Sequence, residues 1–454
     1  MSLDTYLLES QAAHLEELKA LLRIPSVSTN DAFKADVAAC AEFVCGKLRD
    51  AGLTAKVYAT PKHPIVYGEW LGAPGAPTVL IYGHYDVQPP EPLELWRNPP
   101  FEPTIEGGNI VARGATDDKG QMFAHVKAVE ALMKTHGKLP VNVKFLIEGE
   151  EEVGSPSLDP FIEAHADMLK ADVVVVSDTH MYAPGRPSIT YGLRGLSYFE
   201  MTVRGPSYDL HSGLYGGAVP NPINAIGTMI GKLKDENNRV LIPGFYDGVQ
   251  ELDADERAEL SALEYDSAAF CGEVGIPHPV GEAGYGIMER LTVRPTLDFN
   301  GIWGGYTGPG AKTVLPSEAH AKFSCRLVPA QDPEDIVKKV VAYLESIKPE
   351  GIQLEVRPHH GNIPFVVDRS APAMKAAFRA LERVWGVRPV FTRGGGSIPV
   401  VASFKRLLGL DTVLMGFGLE DDRLHSPNEK FAIANYYAGI KASAFMLQEL
   451  AAEG

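Results

Sequence analysis

The sequence predicts an α/β protein in which a mainly parallel sheet carries the chemistry and a smaller α+β domain is inserted into it. Three observations lead there. Apolar runs of strand length alternate with helical periodicity through the first 190 residues. The texture then changes to longer alternating strands and amphipathic helices. Beyond Pro364 the first alternation resumes. Strand–helix alternation favours a parallel sheet covered by helices, whose ligands collect beyond the carboxyl ends of the strands.

The elements follow in order. MSLDTYLLESQAAHLEELKALLRIPSVS reads as one amphipathic helix, with Leu15, Leu18 and Leu22 on one face, ended before Pro25. TVLIYGHYDV is an apolar run closing on Gly83 and His84, a buried strand entering a loop. After RGATDDKG, Met122, Val126, Val129 and Met133 recur at helical spacing. VNVKFLIEGEEEVGS alternates at Val141, Val143, Phe145 and Ile147, then turns acidic. ADVVVVSD is a third buried strand, ending at Asp178. GLRGLSYFEMTVRG opens the inserted unit as a strand, and NPINAIGTMIGKLKDE follows as a helix. An acidic, Gly- and Pro-bearing region spans 240 to 312. AHAKFSCRLVPA and IQLEVRPHH then read as strands flanking a helix capped near Asp332. APAMKAAFRALERVW is a helix and DTVLMGFGL a strand leading to His425. The expected domains are therefore 1–190 with 363–454, discontinuous and catalytic, and 191–362, a lid or dimerisation domain.

The chain of 454 residues carries 42 Lys plus Arg against 58 Asp plus Glu, a formal charge of -16. Such a balance repels phosphate backbones and anionic lipid, so neither nucleic acid nor membrane is an expected partner. No run of about 18 apolar residues exists to span a bilayer. The four cysteines, Cys40, Cys45, Cys271 and Cys325, show neither a disulfide framework nor a C-x-x-C pair. A cytoplasmic protein is the expectation. GGYTGPGAKT lacks phosphate-loop spacing, and no G-x-S-x-G elbow is present.

Five potential metal ligands sit just past apolar strands or in their return loops: His84, Asp117, Glu152, Asp178 and His425. Each has an ordinary alternative reading. A strand-end His is more often a core or loop residue, Asp117-Asp118 suits a helix N-cap, and an acidic run is normally solvated. Charge continuing directly from an apolar strand is costly without a partner or metal, however. Asp86, two residues after His84, is placed to fix the imidazole tautomer. Two imidazoles and three carboxylates suit Zn²⁺ or Mn²⁺. Five ligands exceed the three of a mononuclear catalytic zinc. A bridging carboxylate would serve two ions, which together can generate a hydroxide and polarise a carbonyl.

The segments GHYDVQPP, RGATDDKG, EGEEEVGSPSL, VVVSDTH, DLHSGLYGG, GAKTVLP, FSCRLVP, GGGSIPV and LHSPNEK together resemble the carnosinase and cytosolic nonspecific dipeptidase branch of the family-20 metallopeptidases. Carboxypeptidase G, aminoacylase and succinyl-diaminopimelate desuccinylase belong to the same wider family. The resemblance implies a zinc-peptidase-like catalytic domain and two divalent ions per subunit, Zn or Mn. Asp117 would bridge them, one ion also taking His84 and Asp178, the other Glu152 and His425. Glu151 would be the general base, with Asp86 behind the site, and the Asp117–Asp118 peptide would be cis. His211 would reach the partner's site in a homodimer, accompanied by Thr313. Arg326 and Ser397 would hold the substrate carboxylate, and His360 would lie on the substrate side near the hinge. Asp178, where deacylating relatives tend to have Glu, implies substrates with a free amino terminus. The expected activity is hydrolysis of dipeptides or short peptides. The alternative is a carboxypeptidase or N-acyl amino acid deacylase on the same metal site. EEEVGS departs from the branch's usual MEESGS at Glu150 and Val153.

Overall fold

The computed structural model describes residues 1–263, 266–396 and 398–453, with the side chains of residues 273 and 360 set aside. The chain divides into two compact units. One comprises Met1–Tyr191, Val367–Thr392 and Pro399–Gly454, the other Gly192–Val366 and Arg393–Ile398.

The first unit is organised by a mixed sheet whose centre is parallel. The strand Thr78–His84 lies between Asn142–Glu148 and Val173–Val176, parallel to both, and Thr412–Leu414 continues the parallel run beside Val173–Val176. Thr54–Tyr58 and Ile65–Trp70 extend one side antiparallel, and Ser188–Leu193 turns the direction on the other. The shared direction puts His84, Glu148, Val176 and Leu414 at one edge. The loops leaving that edge carry the acidic and histidine residues.

Strands at the centre of such a sheet are covered on both faces, which explains why they are apolar throughout. Val173–Val176 and Asn142–Glu148 are buried along almost their whole length. The alternation at 141–147 therefore does not mark a wet face. The helix Lys119–His136 is likewise buried nearly all round, Lys119 and Lys127 included. Lys119 Nζ donates to the carbonyls of Ile24 at 2.7 Å and Leu21 at 3.3 Å, which closes the end of the N-terminal helix. That N-terminal segment is two helices, Leu3–Glu9 and Gln11–Leu22, interrupted at Ser10, where one continuous helix was expected.

A small antiparallel ladder has direct bearing on the site. Lys430–Ala432 pairs with Asn109–Val111, which pairs with Thr104–Glu106. The first pairing sets the loop Arg423–Glu429 beside the loop Ala112–Asp118. Three non-glycine residues of the former, Arg423, His425 and Asn428, have φ near +60°. Such values are uncommon outside glycine and need surrounding bonds to hold them. Asn428 supplies two, accepting from the Arg97 amide and donating to the Leu95 carbonyl, both at 2.8 Å.

The second unit is a four-stranded antiparallel sheet in the order Thr296–Gly304, Glu318–Leu327, Gly195–Arg204, Gln353–Asn362. Its strands bury alternate residues, as one covered face requires. Helices Pro222–Ile230 and Pro333–Ile347 bring Ile226, Met229, Ile336, Val340 and Leu344 against Phe199, Met201 and Phe323. Asp332 caps the second helix through the Glu334 amide at 2.8 Å. The edge strand Thr296–Gly304 falls within a region that sequence patterning left without elements. Its register shifts between Phe299 and Gly301, and that bulge breaks the period-two signal.

Candidate metal centre

Each donor owes its position to a strand or ladder of the first unit. His84 ends its strand with its side chain fully buried. Its Nδ1 lies 3.0 Å from the Asp86 carbonyl and 3.4 Å from Asp86 Oδ1. A proton held at Nδ1 leaves Nε2 to ligate. The main-chain carbonyl thus makes the closer contact expected of the Asp86 carboxylate. That carboxylate also accepts from the amides of Glu151 at 3.2 Å and Glu152 at 3.1 Å, and from the Ser28 hydroxyl at 2.6 Å.

Asp117 lies at the entry to the helix Lys119–His136, and the Asp117–Asp118 peptide is cis. Asp118 occupies the N-cap position without capping through its side chain; its Oδ2 accepts from the His84 amide at 3.2 Å. The helix-cap alternative therefore does not account for the pair. Glu151 and Glu152 form a single helical turn beyond Asn142–Glu148, and Asp178 follows Val173–Val176.

These side chains converge as two triads sharing one residue. Donor atoms of His84, Asp117 and Asp178 lie within 4.8 Å of one another, as do those of Asp117, Glu152 and His425. Asp117 presents Oδ1 to His84 Nε2 at 3.1 Å and Oδ2 to His425 Nε2 at 2.9 Å. His84 Nε2 is 3.8 Å from Asp178 Oδ2, and His425 Nε2 is 3.3 Å from Glu152 Oε2. Donors ~2.0–2.2 Å from an ion in a tetrahedral array stand about 3.3–3.6 Å apart. The observed separations bracket that value, so the residues fit one ion in each triad, with a carboxylate oxygen of Asp117 turned toward each.

Electrostatics point the same way. Burial and the Asp117 charge push the Asp178 carboxyl up to about 7. Burial, partly offset by His84 and reinforced by Asp178 and Glu152, pushes Glu151 up to about 8. Burial holds Asp118 well above the carboxylate range. His84 is held well above the usual imidazole value, its burial outweighed by hydrogen bonds with Asp117 and Asp86. Hydrogen bonds to Asp117 and Glu152 raise His425 to about 10. Without cations, this excess of buried negative charge recruits protons; divalent ions would replace them.

Several residues that support the site were not singled out from sequence. Gln88 donates to Glu152 Oε2 at 2.8 Å. The Glu429 carboxylate accepts from the amides of Gly114 at 2.9 Å, Thr116 at 3.0 Å and Asp117 at 3.1 Å, and from Arg113 Nη1 at 2.9 Å. Gln88 and Glu429 lie within GHYDVQPP and LHSPNEK, so motif context was the only available signal.

The remaining candidates belong to the second unit. His211 and Val314 pair in a two-residue ladder, and the Ser212 amide donates to the Thr313 carbonyl at 3.0 Å, which makes His211 and Thr313 neighbours. Both side chains are exposed. Arg326 is half-buried in the strand Glu318–Leu327, opposite Leu196 and Thr296. Its charge acts on the buried Arg194, whose burial and this neighbour lower it to about 10. Ser397 and the side chain of His360 lie outside the described residues.

Residues 80–449 match the model of peptidase family M20/M25/M40. The chain is 35% identical over 450 residues to the Cys-Gly metallodipeptidase dug1 of Schizosaccharomyces pombe, covering 96% of this chain and 94% of that protein. It is 34% identical over 396 residues to the Beta-Ala-His dipeptidase of Homo sapiens, covering 86% and 78%. Among solved structures, human carnosine dipeptidase 1 superposes with a TM-score of 0.79 at 31% identity, covering 99% and 98% of the two chains. The M20 family metallo-carboxypeptidase Sso-CP2 of Sulfolobus solfataricus superposes with a TM-score of 0.83 at 34% identity, covering 97% and 99%. With the family model spanning most of its length and the paired donor triads at the strand ends, the chain belongs to peptidase family M20/M25/M40.

Proposed function

We propose that this enzyme hydrolyses dipeptides and short peptides bearing a free amino terminus. The observation that carries the reading is the pair of donor triads sharing Asp117, with the base candidate Glu151 half-buried beside them. His84, Asp117 and Asp178 would hold one ion, and Asp117, Glu152 and His425 the other. Nitrogen and carboxylate donors without thiolate favour zinc or manganese. When bound, two such ions supply Lewis acidity and a water acidic enough to react near neutral pH.

The chain's own residues do the rest. Asp86 and Gln88 fix the directions of the Glu151–Glu152 turn and of the Glu152 carboxylate. Glu151 takes a proton from the attacking water and returns it to the leaving amine nitrogen. Raised to about 8 before metal binds, its carboxyl would be drawn down by the two ions, leaving a carboxylate ready to take that proton near neutrality. Arg326, with Ser397, holds the substrate's terminal carboxylate, a task suited to a planar guanidinium. His360 lies along the substrate.

The names of the dipeptidase relatives support the substrate class, and Asp178 supports a free amino terminus. Glu151→Gln is expected to retain bound metal while turnover falls by at least ~10²-fold; unchanged hydrolysis would refute the base. The similarity to Sso-CP2 favours a second reading, a carboxypeptidase. A panel of free dipeptides against N-acylated peptides and amino acids separates the two, and no turnover of any free dipeptide would sink the first.

The second unit is assigned as a lid and dimerisation domain, with His211 and Thr313 completing the site of a second copy. Exposed Tyr208, Leu214, Ile302 and Trp303 on that unit support such an interface. Glu151→Gln and His211→Ala homodimers, each inactive, should regain partial activity after subunit exchange. No recovery would refute the trans role. Four free thiols, with no disulfide, support a reducing compartment such as the cytoplasm.

A further inference from the structure

Glu150 opens the acidic run Glu150-Glu151-Glu152 and is only 2% exposed, yet it belongs to neither donor triad. Its carboxylate is occupied elsewhere. Oε1 accepts from the His63 amide at 2.6 Å, the Ser157 hydroxyl at 2.9 Å and the Thr60 hydroxyl at 3.2 Å. Oε2 accepts from the Ser157 amide at 2.9 Å. The Glu150 carbonyl meanwhile accepts from the amides of Val153 at 3.1 Å and Ser155 at 2.8 Å. Both ends of the turn 150–155 therefore close on this one residue. The turn needs such closure, because Ser155 sits at φ 51° and carries a side chain.

Asp86 holds the same turn from the other side, through the amides of Glu151 and Glu152. A continuous path joins the two carboxylates. The His63 amide serves Glu150, the His63 ring Nε2 reaches the Ser28 carbonyl at 3.0 Å, and the Ser28 hydroxyl donates to Asp86 at 2.6 Å. Every residue on this path is buried.

We propose that Glu150 is a positioning residue. It anchors the turn that aims Glu151 at the reacting water and Glu152 at its ion, and it acts with Asp86 through His63 and Ser28. An apolar side chain at 150 could fill the same volume, but the His63 and Ser157 amides would lose their charged acceptor. Glutamine could keep the Oε1 contacts, yet its NH₂ group would face the Ser157 amide, donor against donor.

The inference rests on the roles proposed above for Glu151 and Glu152. Its test uses the full chain, metal-loaded, and the variants Glu150→Gln and Ser157→Ala. Metal affinity is measured by chelator competition, ligand geometry by the visible spectrum of the Co²⁺-substituted protein, and turnover as separate kcat and KM. Glu150→Gln should lose about 10–100-fold in kcat and in affinity for one of two ions, with KM little changed and an altered Co²⁺ spectrum. Ser157→Ala removes one donor and leaves packing intact; it should shift the same quantities less. If Glu150→Gln does not fold, Ser157→Ala decides. Either folded variant with wild-type kcat, metal affinity and Co²⁺ spectrum would overturn the proposal. A wild-type enzyme inert toward dipeptides would instead overturn the substrate reading, leaving the metal and spectral readouts to judge Glu150.

Discussion

Replacing Glu429 by glutamine tests how the loop carrying Asp117 is built. The Glu429 side chain is 1% exposed and faces the Arg113 guanidinium, also 1% exposed, at 2.9 Å. Three main-chain amides, of Gly114, Thr116 and Asp117, point at the same carboxylate. Glutamine removes the charge and turns an NH₂ group toward donors. Arg113 would keep a hydrogen bond to the Pro89 carbonyl at 3.1 Å but lose its counter-ion. Breaking a buried ion pair from one side costs about 3–5 kcal/mol. At about 2 °C per kcal/mol for a domain of this size, Tm should fall by roughly 6–10 °C. The measurement belongs on metal-stripped protein, since bound ions add their own stabilisation. Arg113→Met and the double variant complete a thermodynamic cycle, in which the double should cost less than the two singles summed. A Glu429→Gln protein within about 1 kcal/mol of the parent would refute the reasoning. Because Glu429 also fixes the Asp117 amide, both ions should bind more weakly in the variant.

Other expectations follow from groups nearby and farther off. His125 is fully buried between the hydroxyls of Ser443 and Ser177, each at 2.7 Å, and burial lowers it to about 4. Its neutral form therefore contributes stability that is complete above pH ~6.5 and is lost as pH falls toward 4, by about 3 kcal/mol; urea midpoints against pH should show this slope shrinking in His125→Gln. Asp178 and Glu151, at about 7 and about 8 before metal binds, must lose protons when the ions enter. Metal affinity should fall as pH drops from 8 to 6, with proton release seen by calorimetry in buffers of different ionisation enthalpy; a pH-independent affinity would contradict it. A Cβ at Gly416 would lie 2.1 Å from the Thr179 carbonyl oxygen, so Gly416→Ala should displace the loop after Asp178 and cost about 1–3 kcal/mol in thermal unfolding.

The donors were legible because metal chemistry restricts residue type and parallel sheets restrict place. His84 and Asp178 could be read from apolar runs that stop abruptly, since a fully buried strand leaves a plain signature. The supporting residues were not. Glu150 reads as one of three consecutive glutamates, and nothing local distinguishes the one that binds loop amides from the two at the donor triads. Glu429 is separated from its amide partners by more than 300 residues. Its role exists only once Lys430–Ala432 pairs with Asn109–Val111. Periodicity failed where geometry interrupts it. The bulge at Asn300 hid the strand Thr296–Gly304, and Ser10 divides a helix whose apolar pattern runs on. Asp118 shows the reverse case: its position suits a cap, but its side chain serves His84 instead.

The loops around the metal donors share a device that explains why so much carboxylate is buried there. Loop amides cannot pair with one another as strands and helices do, and a buried amide without an acceptor is costly. In this protein acidic side chains take that place. Asp86 serves the amides of 151 and 152, Glu150 those of 63 and 157, Glu429 those of 114, 116 and 117, Asp118 that of 84, and Asp422 that of Leu419. Charge-assisted bonds are shorter and stronger than neutral ones, so each carboxylate fixes several loop positions at once. Buried carboxylate is the cost, visible as the carboxyls of Asp118, Asp178 and Glu429, raised first by burial and then by neighbouring negative charge. Divalent cations at the two triads would offset that charge. The ions and the supporting carboxylates should then stabilise each other: removing metal should loosen loops well beyond the ligands themselves. Hydrogen exchange of the metal-stripped and metal-loaded protein measures this at the amides of 63, 84, 114, 151 and 157. Protection that changes at the donors alone, and at none of the carboxylate-held amides, would defeat the argument.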